Sequence, residues 1–569
     1  MAIGPELVCA YAAEVSQELG GSRVRRVDSG DRWVAIGLSR ERVVFFSWDP
    51  ECYGVCAARP DEVRRLSAAA LGRPPIADAV KSHLVGAEIV GASAPGRDRV
   101  LWMEFRRAVG AGFYQTRHLL LECSGRYSNM LLLDGGRQIV EAARHIYPED
   151  NRYRTLIPGG PYTPPPPISG ESLDEWDCEA PGMDGIPRNL VGLGRPLISA
   201  IERTCCDSPP ERLDVLRGVN FLKTCAGGAV YQSLGNYVTL FVRVLSGAEA
   251  MPDSSALEAA RRVVVLPLID RCVGRFRKKI SLRLNRLVDA NAKRIGEYEA
   301  LLEDGGAADR LMSTGKLILE NCWSIPPRSS EAELVEWTES GASVRIVALD
   351  PGCDAVQNAE RYFARYRKKK AAADRARSVL PSLYETRDEL SEQAALLDSN
   401  DDAATLSLML EELSSQRGSP GSKGRAPGRV HLPPHRRYDF EWAGAVVYCG
   451  LSAKGNQYVT YRLARGDDEW LHAQGVPGAH VVLRFAASPD SDTLGKMLEI
   501  AASCAAYHSR GRESGRVRVD HTKRRFVRAI PGGSPSRVTY REFGTILADP
   551  AAWLRIRESP SGTPSVLGG

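Results

Sequence analysis

Nowhere in this 569-residue chain do roughly 18 or more apolar residues run together, which excludes an ordinary membrane-spanning helix. The opening MAIGPELVCAYAAEVSQELGG has no basic segment followed by an apolar core; it carries Glu6 and Glu14 instead. No secretory leader is read there, so the cytoplasm is the expected compartment and no membrane partner is expected. Thirteen cysteines are present but no CxxC pair, so neither a zinc knuckle nor a thioredoxin-like site is signalled. They read as reduced, mostly buried thiols. A GxxxxGK[ST] phosphate loop is missing, and Pro158-Gly159-Gly160-Pro161 lacks the lysine and hydroxyl residue that such a loop needs. No nucleophile elbow singles out a serine. The reading is a binding protein rather than an enzyme, with no cofactor and no catalytic residue. The net charge of +5 is too small to imply a nucleic-acid partner by its sum alone.

What is present is length and a changing pattern. At ~100 to 200 residues per domain the chain holds about three to five units, and the expected class is multidomain α+β. Residues 1–167 alternate apolar runs with turn signals, among them 33–38, 43–46, 100–105, 118–122 and 130–134, which read as strands of a sheet-rich domain with a helix near 5–19. The four prolines ending PGGPYTPPPP, 158–167, close it. A helix-hairpin-helix domain is expected over 180–268: from about 186 to 268 the pattern reads as helical, and GLGRPLISAIE, 192–202, has the glycine-bearing turn and short helix of such a unit. Residues 269–414 read as an antiparallel coiled-coil hairpin with a small insert at about 304–353. Its helices lie near 269–303 and 355–397, and Pro381 should kink or restart the second. A helix of that length would reach roughly 50 Å. A Gly/Pro/Arg-rich linker, 415–438, leads to an α/β domain over 439–556, and 557–569 reads as a disordered tail.

Charge concentrates on the two long helices. Residues 271–294 hold nine Lys/Arg against Asp289, including Arg275, Lys278, Lys279 and Arg283. Residues 361–377 hold eight against Asp374, including Arg365, Lys368, Lys369 and Lys370. Solvated helix faces normally mix signs; stretches this one-sided favour a polyanion, and a nucleic-acid backbone is the economical choice.

Two turns carry other polar residues. GRYSNMLLLD, 125–134, places Arg126, Ser128 and Asn129 at the entry to a strand, and Asp98-Arg99 opens the strand DRVLWMEF. Arginine offers a fork of donors for phosphate and asparagine can read a base edge, or both can serve the local turn. The other turn is DDEWLHAQGVPGAHVVLR, 467–484, where Pro477-Gly478 bends the chain between His472 and His480. No cysteine or carboxylate completes a metal site with those histidines, so none is expected.

Together these motifs resemble one family, the NFACT proteins of ribosome-associated quality control, in the bacterial RqcH-type branch. DRVLWMEF with LLLECSGRYSNMLLLD resembles the N-terminal domain signature, and RTLIPGGPYTPPPP, 154–167, its closing segment. NAERYFARYRKKKAAADRA, 358–376, preceded by Leu349-Asp350-Pro351, is similar to the entry to the second coiled-coil helix. DEWLHAQGVPGAHVVLR resembles the hallmark of the C-terminal NFACT-R domain, with AASCAAYHSRGRESGRVRVDHT, 501–522, following it.

The resemblance implies an Fpg-like sheet domain, a helix-hairpin-helix domain, the coiled coil and the NFACT-R domain. It implies binding to large ribosomal subunits obstructed with peptidyl-tRNA, and recruitment of tRNA, alanyl-tRNA in bacteria, for untemplated C-terminal tailing of the stalled chain. Asp98 and Arg99 fall on the Asp-Arg pair that it implicates in tRNA-dependent tailing, with Arg126 and Asn129 in the neighbouring turn. The coiled-coil cations would meet rRNA, and Trp470, His472 and His480 mark the NFACT-R hallmark. Two departures stand out: Gly4 replaces an aspartate usual near the first helix, and GLSAKGNQYVT, 450–460, keeps only Asn456 and Thr460 of the usual polar positions. Rival readings are an extracellular-matrix adhesin and an Fpg-like nucleic-acid enzyme. The second needs an N-terminal proline amine, whereas the nitrogen of Pro5 is an amide.

Overall fold

The structure, a computed structural model, describes residues 2–177, 179, 185–224, 229–235, 237–253, 255–303, 305–338, 341–415, 432–530 and 537–558. Most of the basic linker, 416–431, and the tail from 559 onward lie outside the described residues. The chain divides into two compact units, 1–276 with 402–407, and 277–401 with 408–569. It is a mixed helix-and-sheet protein, and no helix among the described residues is long and apolar enough to cross a membrane.

The first unit is built around helix Pro5–Glu14. Extended Gly4 and Pro5 at the first helical position start it, and it is buried nearly all round, with Leu7, Val8 and Tyr11 fully inside. Two antiparallel meanders follow. Arg26–Gly30, Trp33–Gly37, Val43–Trp48 and Tyr53–Ala58 pair in chain order, and Phe45 and Phe46 are buried, each contributing about 1.5–3 kcal/mol. The second sheet runs Ile139–Ala142, Asn129–Asp134, Phe113–Glu122, Val100–Gly110, Glu88–Ser93. In this sheet the apolar runs of the sequence become strands whose inward residues Leu120, Leu131 and Leu133 share a core.

The helical reading of about 186–268 needs correction. Helices Arg195–Asp207 and Arg212–Thr224 are present, but Gly192 and Gly194 precede the first of them rather than joining the pair. Strands Val230–Leu234, Tyr237–Phe241 and Glu249–Ala250 follow and form a sheet with Ala2–Ile3. The missed signal in the sequence was a glycine-asparagine dipeptide at 235–236 between two runs rich in apolar residues; Gly235 takes φ +59°. The first long helix also starts earlier than expected, running Ala256–Glu303.

In the second unit this helix pairs antiparallel with Ala355–Asp398. Arg277 donates to the Asn400 carbonyl (2.8 Å) and Asn291 to that of Leu383 (3.0 Å), so a rise along one arm of the hairpin meets a fall along the other; Tyr384 adds a hydrogen bond to Glu299 (2.6 Å). Ile295, Leu380 and Leu383 form the seam. Pro381 neither ends nor restarts its helix, because the packed Leu380 and Leu383 beside it offset the lost hydrogen bond. The insert is helix Gly305–Glu320 with the hairpin Glu331–Thr338 and Gly341–Ala348, packed through Leu317, Ile318, Leu334 and Val347.

The C-terminal sheet runs His435–Phe440, Ala445–Gly450, Val481–Phe485, Glu469–Ala473, Val517–Lys523, Gly544–Ala548. Its first strand lies partly inside the stretch read as linker: cross-strand pairing of His435 with Gly450 and Arg437 with Tyr448 orders that basic segment. One face holds Trp470, Tyr448 and Val482. Helix Ser491–Tyr507 packs on the sheet, its N-terminus capped by Asp490, which accepts from the Thr493 N–H (2.8 Å).

Candidate nucleic-acid interface

At the N-terminal sheet, pairing brings the predicted residues to one edge. Val100 sits opposite Glu122, and Glu122 opposite Asn129, so Asp98-Arg99 and the Gly125–Asn129 turn share a sheet end. The Arg99 carbonyl accepts from the Cys123 N–H (2.7 Å), and the Asp98 carboxylate accepts from the Arg99 N–H (2.6 Å). Arg99 lies close enough that its charge favours ionisation of Tyr53, Tyr237 and Cys123, although burial dominates all three and pushes the Cys123 thiol up to about 12.

Asn129 turns inward. It is buried, its amide donates to the Arg144 carbonyl (2.9 Å), and its oxygen accepts from the N–H groups of Met130 (3.0 Å) and Arg144 (2.9 Å). Three of the hydrogen bonds its amide can make shape the turn from within. Arg126 is exposed, stacked 4.8 Å from the Tyr127 ring centre, and presents the donor fork that the turn offers to solvent.

Three residues the sequence did not flag hold this edge. Buried Glu122 takes a two-pronged ion pair from Arg154 (both 2.7 Å) and a hydrogen bond from Tyr162 (3.0 Å). RTLIPGGPYTPPPP thus acts as a clasp. Its only sequence signal was an arginine and a tyrosine within an otherwise turn-like segment.

The departure at Gly4 also has a structural reason. A Cβ there would lie 1.8 Å from the Tyr237 hydroxyl and 2.3 Å from a Glu6 carboxylate oxygen. Glu6 is itself buried, accepting from Gly194 N–H (2.9 Å), Tyr237 (2.5 Å) and Thr239 (2.9 Å), and burial raises its pKa despite those bonds. The space an aspartate side chain would need is filled by this network.

The coiled-coil cations divide into two sets. Arg275 pairs with Asp31 (3.3 Å) and donates to the Ala69 carbonyl (3.2 Å), while Arg283 reaches the Leu413 carbonyl (3.4 Å). Both are half-buried and help to hold the fold. Lys278, Lys279, Lys368, Lys369 and Lys370 are exposed, as is Arg365, which lies over the Tyr362 ring; Lys370 likewise lies over Tyr366.

The turn within DDEWLHAQGVPGAHVVLR, 467–484, carries most of its rings inward as well. Trp470 is fully buried, stacked on His472 (5.8 Å) and edge-on to His480 (5.1 Å). Its indole N–H donates to Thr460 Oγ1 (3.2 Å), which is 2.8 Å from His480 Nδ1. Asn456 accepts from the His480 N–H (2.9 Å) and donates to the Gly478 carbonyl (3.1 Å) and to Glu392 on the second long helix. Asn456 and Thr460 are therefore the polar residues that lock the bend. Desolvation pushes His472 down to about 4, opposed by Asp520, and holds His480 well below the ordinary range, with the His472 charge adding to the effect. Trp470 and His480 pack the turn. Gly475–Gly478 line a cleft of about 1700 Å³ together with Asn291, Glu299, Arg387 and Glu392.

The chain is thus a multidomain protein of mixed helix and sheet, with two long paired helices that carry exposed lysine rows. The sequence model described as NFACT N-terminal and middle domains matches residues 7–180 and 270–426, and the chain belongs to this family. It is 27% identical over 511 residues to "Rqc2 homolog RqcH" of Bacillus subtilis (strain 168), covering 83% of this chain and 85% of that one. It is 26% identical over 490 residues to the protein of the same name from Streptococcus suis (strain 05ZYH33), covering 83% and 84%. Among solved structures, the C-terminal part of the fibronectin/fibrinogen-binding protein from Streptococcus suis aligns at TM-score 0.35 and 24% identity, over 49% of this chain and 95% of that chain.

Proposed function

We propose that this protein is a ribosome-associated quality control factor of the cytoplasm that binds large ribosomal subunits obstructed with peptidyl-tRNA. It recruits tRNA, alanyl-tRNA first among candidates, for untemplated tailing of the stalled chain. The observation that carries the reading is the exposed lysine set at 278–279 and 368–370 on the paired long helices of an NFACT-family chain. One-signed exposed charge on a stiff support suits rRNA backbone. Arg99 and Arg126, at one edge of the N-terminal sheet, supply the donors for tRNA. Peptide-bond chemistry belongs to the ribosome in this reading, and the protein itself is not an enzyme.

Affinity purification from cells followed by sequencing of bound RNA tests it directly. Large-subunit rRNA with an enriched tRNA is expected; absence of both overturns the reading. Replacing Lys368, Lys369 and Lys370 with alanine should weaken subunit co-sedimentation and flatten its salt dependence. Arg99→Ala should abolish tailing while co-sedimentation survives.

A further inference from the structure

Cys449, Cys504 and His508 take no part in the function proposed above, yet they converge in the C-terminal sheet domain. Cys449 lies on strand Ala445–Gly450; Cys504 and His508 lie one helical turn apart at the end of helix Ser491–Tyr507. One ligand atom from each falls within 4.8 Å of the others, and all three residues are buried, the cysteines completely and His508 at 2% exposure. The Cys449 thiol donates to the Gly450 carbonyl (3.7 Å), and the Cys504 sulfur lies beside it. His508 Nδ1 is 2.9 Å from Ser399 Oγ, which fixes the ring, while Nε2 is buried with no hydrogen-bond partner.

An unpaired ring nitrogen in the interior is costly, and two soft sulfurs beside it offer no strong hydrogen bond in return. A metal ion resolves that cost. Imidazole ligands typically bind through one nitrogen while the other is oriented by an outer partner, the place that Ser399 fills here. We propose that Cys449 Sγ, Cys504 Sγ and His508 Nε2 form a buried site for a single thiophilic metal ion.

Binding displaces the two thiol protons to solvent, leaving a dithiolate–imidazole set around the ion, with no change of oxidation state. Burial holds the Cys504 thiol well above its ordinary range, opposed by Arg436, which stands directly across the strand pair from Cys449, so the metal itself must drive loss of the proton; Arg557 and Arg512 also face His508, and Asp401, paired with Arg436 (3.6 Å) and Arg557 (3.0 Å), is the nearby acid. Among the described residues no fourth histidine, cysteine or carboxylate joins the cluster. Two thiolates and one imidazole without a fourth donor suit three-coordinate Cu(I); Zn(II) normally takes four ligands. Full burial implies that the ion is acquired as the domain folds.

The test is metal content of the full-length protein, purified anaerobically from cells grown with added copper or with added zinc. About one ion per chain is expected from the copper culture, and less than about 0.1 in Cys504→Ala and in His508→Phe, both checked for native circular dichroism. X-ray absorption of the wild-type protein should show two sulfurs and one nitrogen around the ion, a readout that does not depend on any variant folding. One ion per chain only from the zinc culture, with that same donor set, keeps the site and changes the ion. Metal-free wild type from both cultures, an all-sulfur shell, or a Cys449–Cys504 disulfide in the anaerobic protein overturns the proposal.

Discussion

The turn at Gly125–Asn129 and the bend at Gly475–His480 read alike in sequence: each joins polar, ring-bearing residues to an apolar strand. In the structure they divide their side chains differently. The first spends Asn129 inward and leaves Arg126 and Tyr127 exposed; the second turns Trp470 and His480 inward and uses Asn456 and Thr460 to hold them. The difference follows from position. The N-terminal turn caps a sheet edge open to solvent, whereas the C-terminal bend lies over an interior in which every donor needs a protein acceptor. A motif of polar residues thus marks a shaped backbone more reliably than it marks a contact surface.

The sharpest way to break this comparison is Trp470→Ala. Removing a fully buried indole and stranding Thr460 should cost about 3–5 kcal/mol, read as a shift in the urea midpoint of the second unit. A surface-type change there would mean that the bend is not braced as described.

Acid should act on the same bend next. An unfolded histidine titrates near 6.5, while native His472 protonates only at about 4, so between those values the unfolded chain binds the extra proton. Stability from this group is complete above pH 6.5 and is lost as pH falls toward 4. His472→Gln should flatten that part of a denaturation-midpoint profile. An unchanged slope would show that the ring is not held neutral by its surroundings.

The smallest effects separate the two halves of the N-terminal turn. Asn129→Ala leaves the Met130 and Arg144 N–H groups without their acceptor and should cost about 1–3 kcal/mol in thermal or urea unfolding. Arg126→Ala should stay within about 0.5 kcal/mol of wild type, and its loss should be felt in tRNA binding instead. Equal destabilisation by both would erase the division between brace and displayed group.

Much of the N-terminal sheet was legible because its strands are short apolar runs between glycine- and proline-rich turns; 33–37 and 100–110 begin where the pattern begins. The strands at 230–241 were missed, since apolar spacing of three and four in 190–201 was carried onward past a glycine-asparagine dipeptide. At the candidate site, Arg126 and the lysine rows that the sequence flags are exposed in the structure, as their local pattern suggests. The sequence could not separate Arg275 and Arg283 from their neighbours, because Asp31 lies 244 positions from Arg275 and the Leu413 carbonyl 130 from Arg283. It likewise scattered Cys449 and Cys504 as unrelated thiols.

The sequence by itself determined the family, the long paired helices and the concentration of positive charge on them, since these rest on local spacing and motif order. Only the tertiary structure decided which polar residues face solvent and which are consumed within. Burial depends on what distant strands and helices bring alongside, as Glu122 with Arg154, Thr460 with His480, and His508 with two cysteines show.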